Sequence, residues 1–162
     1  MSDTATNGFQ DPLIIQHLLT SARTIAIVGL SNNPLRASHF VGFYLLRHGY
    51  HVIPVNPREA EVLGQRAVGS LSDIDEPIDI VNVFREPSVV PLLAGEAAAV
   101  GAKALWLQFG VIHAAGAAQA HDAGLAVVMD RCLKIEHARY LGRMHWLGFN
   151  TGVISARRLP PR

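Results

Sequence analysis

Cys132 is the only cysteine among 162 residues. One thiol cannot close an internal disulfide, and such sparing use fits a reducing compartment. Long apolar runs are missing too: none reaches the roughly 18 residues that span a bilayer. The opening MSDTATNGFQDP lacks a basic start followed by an apolar stretch, so no secretory signal is expected. The expected location is therefore cytoplasmic, with no membrane partner. Charge of one sign is not in excess either. Fourteen Lys and Arg against 13 Asp and Glu leave a net charge of +1, which provides no basic surface for nucleic acid. Repeats and low-complexity segments are also lacking.

What is present suffices for a core. Hydrophobic residues make up 49% of the chain, and a single domain of this length buries roughly 70% of its unfolded surface. Residues 1–10 are polar and read as a loose terminus. Asp11-Pro12 has the form of an N-cap with proline at the first helical position, opening a helix to about Ala22. From Thr24 strands and helices alternate. TIAIVGL (24–30) predicts a buried strand, and Ser38–His48 a helix with Val41, Tyr44, Leu45 and His48 on one face and Gly49 as its C-terminal cap. HVIPV (51–55), IDIVNVF (78–84), ALWLQ (104–108) and AVVMD (126–130) predict further strands. A short strand is expected near Arg66–Val68. Helices are expected from Ser88 to Val100, over His113–Ala123 and over 133–141. Pro91 falls in a first helical turn, where a missing N–H is tolerated.

This order predicts an α/β fold: a Rossmann-like, doubly wound, mostly parallel sheet of about five strands with helices on both faces. The domain is expected over 11–142. The extension 143–162 carries Trp146 and Phe149, then three arginines, and is expected to pack on the body or on a second copy in a homodimer.

Ligands of open parallel sheets bind outside the carboxyl ends of the strands. The candidates there are Gly29, Ser31, Asn32, Arg36 and Ser38 after the first strand, and Asn56, Pro57 and Arg58 after the second. Phe84 and Arg85 follow the third, Gln108 and Gly110 the fourth. Gly29 permits a tight turn beside a phosphate, and the helix that follows presents free N–H groups and a positive dipole end. The same residues also suit an ordinary strand-to-helix turn. A G-x-G-x-x-G fingerprint would need glycine at 31 and 34, which are Ser31 and Pro34. Nor does the second strand end near an acid for ribose hydroxyls. Arg58 instead suits a phosphorylated ribose, as in NADP or in the 3′-phospho-ADP part of coenzyme A.

The segments IAIVGLSNNPLRAS, HGYHVIPVNPR, LSDIDEPIDIVNVFR, GAKALWLQFGV and AGLAVVMDRCLKIEH resemble the stand-alone CoA-binding proteins of bacteria and archaea over about residues 22–141. The same domain is similar to the N-terminal CoA-binding domain of the succinyl-CoA synthetase α-subunit. The resemblance implies coenzyme A, or a short acyl-CoA, as the small-molecule partner. Gly29, Ser31, Arg36 and Ser38 would then hold phosphates, and Asn56, Pro57 and Arg58 would border the adenosine and its 3′-phosphate. Phe84 and Arg85 would flank the ADP or pantetheine, with Gln108 and Gly110 on the floor. The synthetase's phosphorylated histidine belongs to a second domain, so its ligase chemistry does not carry over and no catalysis is expected.

Two alternatives stand beside this reading: an NADP-dependent oxidoreductase with His137 as proton donor, and a CoA-responsive regulatory subunit acting through the tail. Cys132 is the candidate reactive thiol, against the usual fate of a free cysteine as a small buried residue. The eight histidines show no H-x-x-x-H spacing, and no metal site is expected. Glu136-His137 reads as a solvated helix face, and Trp106 as core.

Overall fold

The computed structural model describes residues 7–142. Helix α1 (Pro12–Ser21) starts as its sequence dictates: Asp11 accepts the Leu13 N–H at 2.9 Å and Pro12 occupies the first turn. The chain then runs through β1 (Thr24–Val28), α2 (Ala37–Arg47) and β2 (His51–Val55). A small antiparallel hairpin follows, β3 (Glu61–Val62) with β4 (Gln65–Arg66). After it come β5 (Ile80–Val83), α3 (Val90–Ala99), β6 (Ala104–Leu107), α4 (Ala114–Asp122), β7 (Ala126–Val128) and α5 (Leu133–Tyr140).

The main sheet has five parallel strands in the order β2-β1-β5-β6-β7. The chain winds outward from β1 to β2, then returns to the other side of β1 and winds the opposite way. The switch point therefore lies between β1 and β5. Side chains alternate across the sheet, as a period of two requires. Ala26, Val28, Val81, Val83, Leu105 and Leu107 pack under α3 and α4. Ile25, Ile27, Ile80 and Trp106 pack under α1, α2 and α5. Each buried Val, Leu or Ile among them contributes about 1.5–3 kcal/mol. Trp106 is fully buried, with its indole N–H on Arg131 O at 2.8 Å.

Both sheet edges are occupied near their carboxyl ends. On β2, His51 and Val55 bond inward to the β1 side, so Val52, Pro54 and Asn56 face outward. Val68 takes the Pro54 carbonyl and accepts the Asn56 N–H, and Pro54 has no N–H to offer. On β7, the Met129 N–H reaches Phe9 O at 3.0 Å, and Gln10 Nε2 reaches Met129 O at 3.1 Å. Among the described residues, one outward residue remains open on each edge, Val52 and Val127.

Three expectations change. Residues 7–10 are not loose: a 3-10 turn at Asn7–Phe9 docks on the end of β7, held by one backbone bond, by the Gln10 side chain and by Phe9 packed against the core. The first strand stops at Val28, because Gly29 turns the chain with φ +89°. The helix expected from Ser88 opens as a 3-10 turn, Pro87–Val89, and becomes α-helical at Val90. The extension 143–162, with Trp146 and Phe149, lies outside the described residues, as do residues 1–6.

Candidate functional site

Hydrogen bonds lock the ends of three neighbouring strands together. The Gly29 N–H donates to Val55 O and the Phe84 N–H to Val28 O, each at 2.9 Å. A Cβ on Gly29 would stand 2.7 Å from Phe84 O and 3.2 Å from Arg85 Cδ. Glycine is thus required by the neighbouring strand end as well as by its left-handed conformation.

Over this junction opens a cleft of about 710 Å³, within the range of small-molecule sites. Nine of the predicted residues line it: Gly29, Ser31, Arg36, Ser38, Asn56, Pro57, Arg58, Phe84 and Arg85. The β1 wall is built by local bonds. Ser38 Oγ accepts the Ser31 N–H at 3.1 Å, and Ser31 Oγ accepts the Asn33 N–H at 3.0 Å. Each hydroxyl accepts from the backbone and so keeps its own proton for an incoming acceptor. Arg36 occupies the N-cap of α2 without a side-chain capping bond, and the first turn holds no acid. The positive end of α2 at Ala37 and Ser38 therefore belongs to the cleft lining.

The β2 wall is an Asx turn. Asn56 Nδ2 reaches Leu30 O and its Oδ1 accepts the Arg58 N–H, both at 3.0 Å. Asn56 is consumed in joining two walls, and Arg58 is carried on that brace. On the β5 wall the Arg85 guanidinium lies against Glu86 through two contacts of 3.2 Å. That hydrogen bond holds the Glu86 carboxyl below its ordinary range. Both side chains are about half exposed, so the pair is a weak competitor for an anion.

Glu59 and Glu86 also line the cleft and were missed by the sequence reading. Each directly follows a predicted arginine, Arg58 and Arg85, which was the available signal. They leave three guanidinium groups against two carboxylates. Asn32, Gln108 and Gly110 are not brought to the lining. Asn32 Nδ2 bonds Glu59 Oε2 at 2.5 Å and Glu61 O at 2.8 Å, tying the first loop to the hairpin. Gln108 is buried, its Oε1 accepting the Leu133 N–H at 3.4 Å and so holding the start of α5. The Gly110 N–H donates to Asp130 Oδ1 at 2.7 Å. Cys132 is half-buried at the N-cap of α5, outside the cleft lining.

The Glu136-His137 expectation is overturned. Glu136 is 2% and His137 5% exposed. Glu136 pairs with Arg139 at 3.2 Å and stands 3.8 Å from Arg131. Burial raises its carboxyl against the lowering effect of those two arginines. His137 Nδ1 lies 2.9 Å from the Tyr44 hydroxyl. Burial, and after it the charge of His48, pushes the imidazole down to about 4. A histidine that is neutral at physiological pH and bonded inside a helix layer is a poor proton donor for the oxidoreductase reading. Among the described residues no group of three or more potential metal ligands occurs, and no helix is long and apolar enough to cross a membrane.

A doubly wound parallel sheet, with amide, hydroxyl and guanidinium groups around its switch-point cleft, defines a Rossmann-like domain suited to anionic ligands. Residues 23–138 match the family described as CoA binding domain, and the chain belongs to that family. It is similar to the uncharacterized protein YneT of Bacillus subtilis (strain 168), 43% identical over 124 residues, which cover 76% of this chain and 92% of that protein. A hypothetical protein from Pyrococcus horikoshii OT3 superposes with a TM-score of 0.79 at 39% identity, covering 82% of this chain and 93% of that one. The Thermus thermophilus protein cell-free ID.343 gives 0.76 at 41% identity, with 80% and 98% covered.

Proposed function

We propose that this chain is a binding module for coenzyme A or a short acyl-CoA, held in the cleft at the carboxyl ends of β1, β2 and β5. The observation that carries the reading is the convergence of Arg36, Arg58 and Arg85, from three separate strand ends, on one cleft that also holds the start of α2. Membership of the CoA binding domain family supports the choice of ligand. Ser31, Arg36, Ser38 and the α2 N-terminus take the diphosphate, where N–H and O–H donors and the helix dipole act together. Arg58, fixed by the Asx turn, takes the 3′-phosphate. Phe84 and Arg85 flank the chain toward the pantetheine. Asn32 and Gln108 act indirectly, by bracing Glu59 and α5. The reading includes no catalytic step.

Isothermal titration calorimetry with CoA, dephospho-CoA, NAD and NADP tests it. CoA is expected to bind, and dephospho-CoA to bind at least tenfold more weakly. Absence of binding at millimolar CoA overturns the reading. Equal affinity for CoA and dephospho-CoA removes Arg58 from its role.

A further inference from the structure

The turn after β2 presents two side chains of opposite charge from a single anchor. Asn56 accepts the next two backbone N–H groups of the chain, that of Arg58 on Oδ1 at 3.0 Å and that of Glu59 on its carbonyl at 3.3 Å. Arg58 and Glu59 leave this turn from adjacent Cα atoms, about 3.8 Å apart, and both line the cleft. Among the described residues neither forms an ion pair.

Glu59 is half-buried and fixed from the opposite loop. Asn32 Nδ2 donates to Glu59 Oε2 at 2.5 Å and gives its other hydrogen to Glu61 O at 2.8 Å. Asn32 is thereby pinned to the hairpin and holds one carboxylate oxygen still. Oε1 makes no hydrogen bond among the described residues and keeps its acceptor capacity.

A carboxylate in a cleft rich in guanidinium groups repels any phosphate set against it, and specific sites use such repulsion against the wrong ligand. An ionised carboxylate only accepts hydrogen bonds, so its fitting partner is a hydroxyl or an N–H. With Arg58 on the 3′-phosphate, the neighbouring group on the same ribose is the 2′-hydroxyl. Adjacent substituents of the sugar thus meet adjacent side chains of the turn. In NAD-binding domains of this topology an acid takes the ribose 2′-hydroxyl. Here the acid stands beyond the strand end, and the Asn56 turn returns it to the cleft.

We infer that Glu59 accepts the ribose 2′-hydroxyl and sets the site's choice of phosphate position, admitting a 3′-phosphate on Arg58 and rejecting a 2′-phosphate. This assignment rests on the CoA reading of the cleft. Glu59→Gln separates selectivity from bracing. The amide oxygen still accepts from Asn32, while the NH2 group donates toward the ribose and serves a 2′-phosphate as well as a 2′-hydroxyl.

Adenosine 3′,5′-bisphosphate and adenosine 2′,5′-bisphosphate differ only in the position of one phosphate. Calorimetric titration of both, with CoA alongside, tests the assignment. The wild type is expected to bind the 3′,5′ isomer about tenfold or more tightly, the scale of one charged hydrogen bond. Glu59→Gln, and separately Glu59→Ala, are expected to bind the two isomers with nearly equal affinity, chiefly because the 2′,5′ isomer gains. A merely structural Glu59 leaves their ratio unchanged, and that result overturns the assignment, as does a wild type without preference for the 3′,5′ isomer. If CoA still binds in either case, the cleft reading stands without Glu59. If neither CoA nor either bisphosphate binds, the cleft reading fails and the role of Glu59 falls with it.

Discussion

Replacing Gly29 with alanine separates two demands that this position meets at once. Gly29 has φ +89° and a Cβ there would meet Phe84 O at 2.7 Å. Gly49, which caps α2, has φ +86° with nothing within 4 Å of a Cβ. Gly49→Ala therefore reports the conformational cost alone, about 1 kcal/mol. Gly29→Ala adds a backbone collision that only displacement of the Phe84–Arg85 segment relieves, and overpacking of this kind costs about 1–3 kcal/mol more. The expected total is about 3 kcal/mol. At roughly 2–4 °C of melting temperature per kcal/mol for a protein of this size, Gly49→Ala lowers Tm by about 2–4 °C and Gly29→Ala by about 6–12 °C. Urea titration and calorimetric melting of both variants measure the difference. Because the collision moves Arg85, Gly29→Ala should also weaken CoA about tenfold or more, while Gly49→Ala leaves binding unchanged. Equal destabilisation by the two substitutions would refute the argument that the β5 end, rather than the turn alone, requires glycine.

Four further outcomes are expected. Arg58→Ala should weaken CoA by about 1.5–3 kcal/mol, the range for a charged hydrogen bond, and leave dephospho-CoA nearly unaffected in calorimetry. With its pKa lowered from 6.5 to about 4, His137 takes up protons in the unfolded chain first. Stability should therefore fall as pH drops from about 6.5 to 4, by up to about 3 kcal/mol, and His137→Gln should flatten that part of the urea-denaturation profile. Tyr50, whose hydroxyl bonds Leu19 O, is pushed up from 10.0 to about 12, by burial first and then by the charge of Tyr44. Its contribution is complete below pH 10 and lost as pH rises to 12, a loss that Tyr50→Phe should abolish. Glu136→Leu should cost about 3–5 kcal/mol by leaving Arg139 buried without its partner, and adding Arg139→Met should recover much of it in equilibrium unfolding.

The alternation of strands and helices was readable because buried parallel strands are continuous apolar runs and the intervening helices carry a regular apolar face. Most of the cleft was readable for a related reason. In this topology the residues just after β1, β2 and β5 must converge, whatever their side chains. Gln108 obeyed that rule in position but turned inward to hold α5, a choice that depends on the neighbouring Leu133 N–H. Glu136 and His137 were misread because burial of α5 is carried by an ion pair and a Tyr–His hydrogen bond. Hydrophobic periodicity does not register such partners. Residues 7–10 dock through one backbone bond, the Gln10 amide and the single apolar side chain of Phe9, too few residues to form a periodic pattern.

The near-closure of both sheet edges constrains how copies of this molecule can meet. A parallel sheet with a free rim invites a neighbouring strand and, through it, open-ended polymerisation. Here each rim offers the hydrogen bonds of one residue, Val52 on one side and Val127 on the other, too few to register an added strand. Assembly between described domains is left to helix faces and loops, where contacts depend on side-chain fit. Among the described residues, strand-by-strand growth along the sheet edge is therefore disfavoured.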